Sequence, residues 1–247
     1  MREILKIPAD DLKPNRDDVL KALGIPSGGK LPEKAETFLS RAMDLFLELS
    51  QPVGVISEIS ILEFETVYHG EGLNEKNTPL DEIYRKADSL SLFGLTIGEK
   101  VTEKIDELFE TSEFALGSML DSVASVGTEK AADCVEDRCF NLLSQKGEIT
   151  SSTAMLRFSP GYCGWHLSGQ KKLFEFLHPE DVGIILLDSF LMKPLKSISG
   201  LVVAGDKEIF IMDDSYPFCG QCKTHSCRNR IAALPHKFEP DNKKGLI

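Results

Sequence analysis

Several things are scarce in this 247-residue sequence. Basic residues are the first: 28 lysines and arginines stand against 39 acidic residues, a formal charge of −11. A field of that sign repels phosphate backbones and anionic lipid, which argues against nucleic acid or a membrane surface as partner. No apolar run approaches the 18 residues needed to cross a bilayer, and residues 1–10 contain no apolar signal core, so the expected location is the cytoplasm. Six cysteines are too few for a disulfide scaffold in a chain of this length. Internal repeats, low-complexity tracts and an obvious linker are all missing, so residues 1–247 read as one unit. With 42% hydrophobic and 27% charged residues, the unit has the means to build an ordinary globular core.

The rest of the chain is organised around residues 155–200. An apolar run is broken by Pro160-Gly161, a pair that presets a turn and supplies positive φ, so a strand should end at Phe158. Leu167, Gln170, Leu173, Phe174 and Leu177 recur on one helical face, and Pro179 stops that helix. Residues 182–192 read as a buried strand, and Met192-x-Pro194 turns the chain into another strand. Residues 201–204 and 208–212 suggest a hairpin across Gly205-Asp206.

Upstream, residues 4–7 suggest a short strand, and Val19, Leu20 and Leu23 form a helical stripe stopped by Gly24. Pro32 opens a helix whose Ala35, Phe38, Leu39, Ala42, Leu45, Phe46 and Leu49 form a core stripe. Residues 53–68 read as β structure, 70–79 as a loop, 80–87 as a short helix and 90–97 as a buried strand. Val101, Ile105, Leu108 and Phe109 define another helix. Ser112 then looks like the N-cap of a long helix reaching towards Ser144, with Gly127 and Thr128 marking a bend. The expected fold is α+β: a curved antiparallel or mixed sheet in the C-terminal half, with N-terminal helices packed against it. Within it, 1–150 is mainly helical with some strands, 151–214 a sheet region, 215–236 a cysteine segment and 237–247 a tail.

Four pieces in fixed order, Arg157-x-Ser159-x-Gly161-Tyr162, Gly183-x-x-Leu186-x-x-Ser189, Met192-x-Pro194 and Ser197-Ile-Ser-Gly200, give a joint signal that none gives alone. Together they resemble the activation domain of cobalamin-dependent methionine synthase and its free-standing relatives. The resemblance implies a domain that binds S-adenosylmethionine and presents its methyl group to the cobalt of a corrinoid carried by a partner protein. That is the methyl-transfer half of reductive reactivation, with an electron from a donor protein. By the same resemblance Arg157, Ser159, Gly161 and Tyr162 form the ligand loop. Chemically, Arg157 suits a carboxylate through a bidentate pair, Gly161 lets backbone approach the ligand, and the Tyr162 face suits a sulfonium. The acid for the ligand's ammonium is not evident, Glu63 and Glu65 being loose candidates, and Ile209-Phe210 lies where the family places aromatic contacts. The loop departs from the family in Gly161-Tyr-Cys-Gly-Trp165. The alternatives are a metal-binding adaptor without catalysis and an electron-transfer module.

Cys219-x-x-Cys222-x-x-x-x-Cys227 packs three thiols into nine residues. A C-x-x-C turn aims two thiolates at one metal, and Cys227 can add a third. Cys163 is the favoured fourth ligand, with His225, His236, Cys134 and Cys139 as alternatives. An iron–sulfur cluster is the favoured occupant, ahead of zinc and then of metal-free thiols, although spacing alone does not separate them. Metal analysis of anaerobically purified protein is expected to find one centre per chain, lost in Cys222→Ser. Iron with sulfide identifies a cluster and zinc alone a structural site, whereas neither would leave the cysteines without a metal.

Overall fold

The structure is a computed structural model that describes residues 1–26 and 28–211. In chain order it runs through strand β1 (Arg2–Lys6), helices α1 (Arg16–Ala22) and α2 (Glu33–Leu49), strand β2 (Val53–Ile59), helices α3 (Ile61–His69) and α4 (Pro79–Ile83), and strand β3 (Ser89–Thr96). Helices α5 (Glu99–Glu110) and α6 (Phe114–Lys146), strand β4 (Thr153–Phe158), helix α7 (Gly169–Leu177), the two-residue strands β5 (Ile185–Leu186) and β6 (Met192–Lys193), and strand β7 (Ser197–Asp206) follow. The fold is α+β, as the composition and patterning imply. Its five-stranded sheet has the order β1-β2-β3-β7-β4, with every neighbouring pair antiparallel. Three of the five strands come from the first 96 residues.

Both faces of the sheet are covered. Period-two alternation sends Phe93, Leu95, Met155, Val202 and Ala204 to one face, where α2, α5 and α6 supply Phe46, Ile105, Leu120, Val123 and Val135. Leu90, Leu92, Leu156, Phe158, Leu201 and Val203 face the other way, onto α3, α4 and α7 through Phe64, Ile83 and Leu173. Helix α6 has 33 residues, a length of about 50 Å at the usual rise. Its middle is uninterrupted helix through Gly127 and Thr128. Gly127 is there for packing: a Cβ would overlap the ring of Phe46 from α2.

Four expectations about local structure are corrected. The apolar residues after Ile59 are helical, because Ser60 and Glu63 form a capping box that starts α3. Helix α6 is capped at Glu113, with Ser112 outside it at φ 65°. Residues 182–192 are not a buried strand. The segment is a turn, β5, a second turn at positive-φ Phe190, and β6, with Ile185, Leu187 and Leu191 exposed. After Asp206 the chain enters a 3₁₀ turn, Lys207–Phe210, instead of returning as a hairpin.

Gly127→Ala tests the packing. Alanine gains about 1 kcal/mol of helix propensity, but overpacking a filled core costs about 1–3 kcal/mol. Equilibrium denaturation should show a net loss of stability, and a more stable variant would refute the Phe46 contact.

Candidate functional site

The site lies where β4 ends. Arg157 pairs with Val202 and Phe158 with Leu201, so β7 runs beside the first motif in antiparallel register. This brings Phe158 and Ser159 of the first motif against Gly200 of the last, two segments far apart in sequence. Gly200 is required by the approach: a Cβ there would overlap the Phe158 carbonyl oxygen and lie 2.9 Å from Ser159 Oγ. Ser199, buried, donates to Gln170 Oε1 at 3.2 Å, and Gln170 Nε2 donates to the Phe190 carbonyl at 3.2 Å. One side chain on α7 thus ties β7 to the exposed turn between β5 and β6.

Beyond Phe158 the chain forms a compact turn. Tyr162 N donates to the Ser159 carbonyl, Gly161 N to the Trp165 carbonyl at 2.7 Å, and Trp165 N to the Tyr162 carbonyl. Gly161 holds φ at 92°, a region open to glycine at no steric cost. Tyr162 is 51% exposed, Ser159 is half-buried and Gly161 exposed. Trp165 is the opposite, a core residue edge-on to Phe64 at 5.5 Å, and its Nε1 is buried without an acceptor among the described residues.

Arg157 follows the alternation of β4 onto the α6 face and is 5% exposed. Its guanidinium donates to Asp133 Oδ1 at 2.7 Å and Glu129 Oε2 at 2.9 Å, and Glu136 Oε1 is 3.5 Å away. Burial disfavours the charge, but the carboxylates of Glu136, Asp133 and Glu129 outweigh it and raise the pKa above its usual value. Glu136 is itself buried, whereas the side chains of Glu129 and Asp133 are 64% and 53% exposed. Three carboxylates around one guanidinium leave a formal charge of −2 at the end of β4. These acids escaped the sequence reading; only their i, i+4, i+7 spacing on a long helix hinted that they share a face.

The acids named from sequence are engaged elsewhere. Glu63 accepts from Ser60 N and Oγ as the helix cap, and the bond from the Ser60 hydroxyl holds its carboxyl below the usual range. Glu65 pairs with Arg85 at 2.7 Å. Phe210 is buried in the core and offers no exposed aromatic face.

Cys163 sits in the turn at φ 52° and is buried, while Cys219, Cys222, Cys227, His225 and His236 lie outside the described residues. Burial raises the Cys134 thiol pKa and pushes that of Cys139 up to about 12, so neither offers a ready thiolate. Among the described residues no three His, Cys, Asp or Glu side chains are grouped to hold a metal ion. No described helix is long and apolar enough to cross a membrane.

Removing Arg157 should take from the buried Glu136 the guanidinium beside it. Arg157→Leu is expected to cost about 3 kcal/mol or more, and adding Glu136→Leu should recover part of the loss. Denaturation of the single and double variants measures this; additive losses would show that the pair is not coupled.

The comparisons bear on this geometry. The family model described as vitamin B12 dependent methionine synthase, activation domain, matches residues 80–212, more than half of the chain. Among solved structures, a crystal structure of the MetH reactivation domain bound to AdoHcy matches with a TM-score of 0.58 and 18% identity, covering 82% of this chain and 78% of that one. Among curated proteins none matches. The matched residues hold β3, α6, β4, α7 and β7, the elements that build the strand end and its acidic surround, and the chain belongs to the family of vitamin B12-dependent methionine synthase activation domains.

Proposed function

We propose that this chain binds S-adenosylmethionine at the end of β4 and presents its methyl group to the corrinoid of a partner methyltransferase during reductive reactivation. The observation that carries the reading is the antiparallel register of β4 and β7, which sets Gly200 of the second motif segment against Phe158 and Ser159, where the Gly161-Tyr162 turn begins. Family membership supports it, and so does the fold shared with a domain whose crystal structure contains AdoHcy.

The local chemistry fits the ligand. S-Adenosylmethionine carries a carboxylate, an ammonium and a sulfonium, a net charge of +1, and the cluster around Arg157 carries −2. Glu129 and Asp133 are exposed enough to turn towards the two cationic groups. The N–H groups they release on Arg157 then take the ligand carboxylate. Tyr162 offers an exposed ring face to the sulfonium. Ser159 and the amides of the turn remain for the polar end, and Gly161 leaves room for close approach. The bound ligand supplies an electrophilic methyl group; the work of these residues is to hold it in line with an incoming nucleophile. No general acid or base is required. The corrinoid belongs to the partner, and a separate donor supplies the electron.

Charge gives the test. S-Adenosylhomocysteine lacks the sulfonium, so it should bind more weakly than S-adenosylmethionine by calorimetry. Glu129→Gln and Asp133→Asn should each weaken S-adenosylmethionine by about two- to fivefold, as expected for exposed charge pairs, and narrow the gap between the two ligands. Tyr162→Ala should act in the same direction. Absence of binding by the wild-type protein, or a ligand preference untouched by all three changes, would overturn the assignment.

A further inference from the structure

The turn that carries Gly161 and Tyr162 does not stand on the matched region alone. Behind it lies the segment 70–78, a plain loop by sequence and outside residues 80–212 of the family match. Asn74 in this segment uses both ends of its amide. Oδ1 accepts from His166 N at 2.8 Å, and Nδ2 donates to the Tyr68 carbonyl at the end of α3. Next to it Glu75 N donates to the Gly164 carbonyl at 2.9 Å. Gly164, at φ 75°, lies so close to Thr78 that a Cβ would overlap the Thr78 methyl. Thr78 in turn shares a 3.0 Å hydrogen bond with the Tyr68 hydroxyl, and Lys171 on α7 pairs with Glu71 at 2.6 Å. Helix α3 is itself anchored in the core through Phe64, Val67 and Tyr68.

We infer that Asn74 is a positioning residue: through its bond to His166 N it fixes the far end of the turn 159–166 to the segment 70–78, and so sets where Gly161 and Tyr162 stand relative to Arg157. The role rests on the ligand reading above. Three backbone hydrogen bonds close the turn upon itself, but they fix only its internal shape. Its orientation on the body of the protein depends on ties to something else. On one side that tie is the covalent run into β4; on the other it is the buried Trp165 ring against α3, His166 N held by Asn74 and the Gly164 carbonyl held by Glu75. The Asn74 bond is the one made by a side chain, and therefore the one that substitution can remove without touching the backbone. His166 N would otherwise find water, leaving the turn held only by Trp165 and Glu75 and loosening the position of the Tyr162 ring. A ligand that must then order the turn binds less tightly.

Two substitutions separate this role from general loop stiffening. Asn74→Leu keeps the approximate volume and removes both bonds; Asn74→Asp keeps the acceptor for His166 N and removes the donor to Tyr68. The chain has one tryptophan, Trp165, adjoining His166, so intrinsic tryptophan fluorescence reports on this turn alone. In ligand-free full-length protein, Asn74→Leu should raise acrylamide quenching of Trp165 while circular dichroism and cooperative unfolding persist, and Asn74→Asp should quench like the wild type. Titration with S-adenosylmethionine should show affinity lowered about five- to tenfold in Asn74→Leu, the equivalent of one lost hydrogen bond, and largely restored in Asn74→Asp. Wild-type quenching and affinity in folded Asn74→Leu would overturn the role. So would an Asn74→Asp variant as impaired as Asn74→Leu, because the tie to Tyr68 would then account for the effect. If the wild-type protein binds no ligand, the functional reading falls and takes the ligand role of Asn74 with it, whereas the quenching arm still decides whether Asn74 fixes the turn.

Discussion

A guanidinium buried on an edge strand imposes a condition on everything around it. Arg157 cannot lose its proton and has little contact with water, so carboxylates must come to it. They come from one helix: Glu129, Asp133 and Glu136 lie at i, i+4 and i+7, within one face of α6. At an effective dielectric constant of about 20 the buried contact to Glu136, at 3.5 Å, is worth about 5 kcal/mol, whereas solvent screens those to the exposed Glu129 and Asp133 to about 1 kcal/mol or less each. Desolvating Arg157 and Glu136 costs several kcal/mol per ion. The two nearly cancel, so the cluster adds little to stability while breaking it is costly. Its consequence is geometric. It fixes the rotation and axial position of α6 against β4, which the apolar contacts of Leu120, Val123 and Val135 alone would leave less sharply defined.

From that constraint the rest of the site follows in order. With β4 fixed, its antiparallel register sets β7, and Gly200 can lie against the Phe158 carbonyl only because it has no side chain. With β7 fixed, Ser199 holds Gln170, and Gln170 holds the Phe190 carbonyl in the turn between β5 and β6. The layers behind are dry and closely packed. In front, the exposed groups are few and differ in kind: two carboxylates, one aromatic ring and a hairpin with apolar side chains outward. Rigidity at the back and exposure at the front is the arrangement expected of a surface that positions a ligand without reacting with it.

Much of this was legible in the sequence, and the losses have physical reasons. The alternation Met155, Leu156, Arg157, Phe158 was readable, but it does not say which face is which; the acids of α6, more than 20 residues earlier, decide that. Ser60-x-x-Glu63 carries a helix start in plain view, yet the alternation through Ile59 and Ile61 imitates a continuing strand. Residues 182–192 are apolar enough for a core, and composition alone cannot distinguish apolar residues buried by the chain from those it leaves uncovered. The motif order Arg157, Gly161-Tyr162, Ser197-Ile-Ser-Gly200 pointed to the right family because such pieces record backbone requirements, namely a turn at positive φ and a strand without a Cβ. Charge pairing between distant elements leaves no such local record, and Glu129, Asp133 and Asn74 were missed for that reason.

The same distinction bears on what the unmatched part of the chain contributes. Residues 80–212 hold the strand end, the acids and the turn, and could be mistaken for the whole apparatus. Yet two strands of the sheet, β1 and β2, lie before residue 80, as do α2 with its Phe46 and α3 with its Phe64, Val67 and Tyr68. Phe46 fills the space left at Gly127, two residues before Glu129, so the helix that presents the acids is packed against the N-terminal part of the chain. Trp165 packs edge-on against Phe64 and tilted against Tyr68, so the turn that presents Tyr162 rests on α3. The N-terminal third therefore supplies the walls against which both halves of the site are held. A positioning site needs such walls more than it needs reactive groups, because its contribution to rate is the alignment it maintains, and alignment is lost when any support moves by about an ångström.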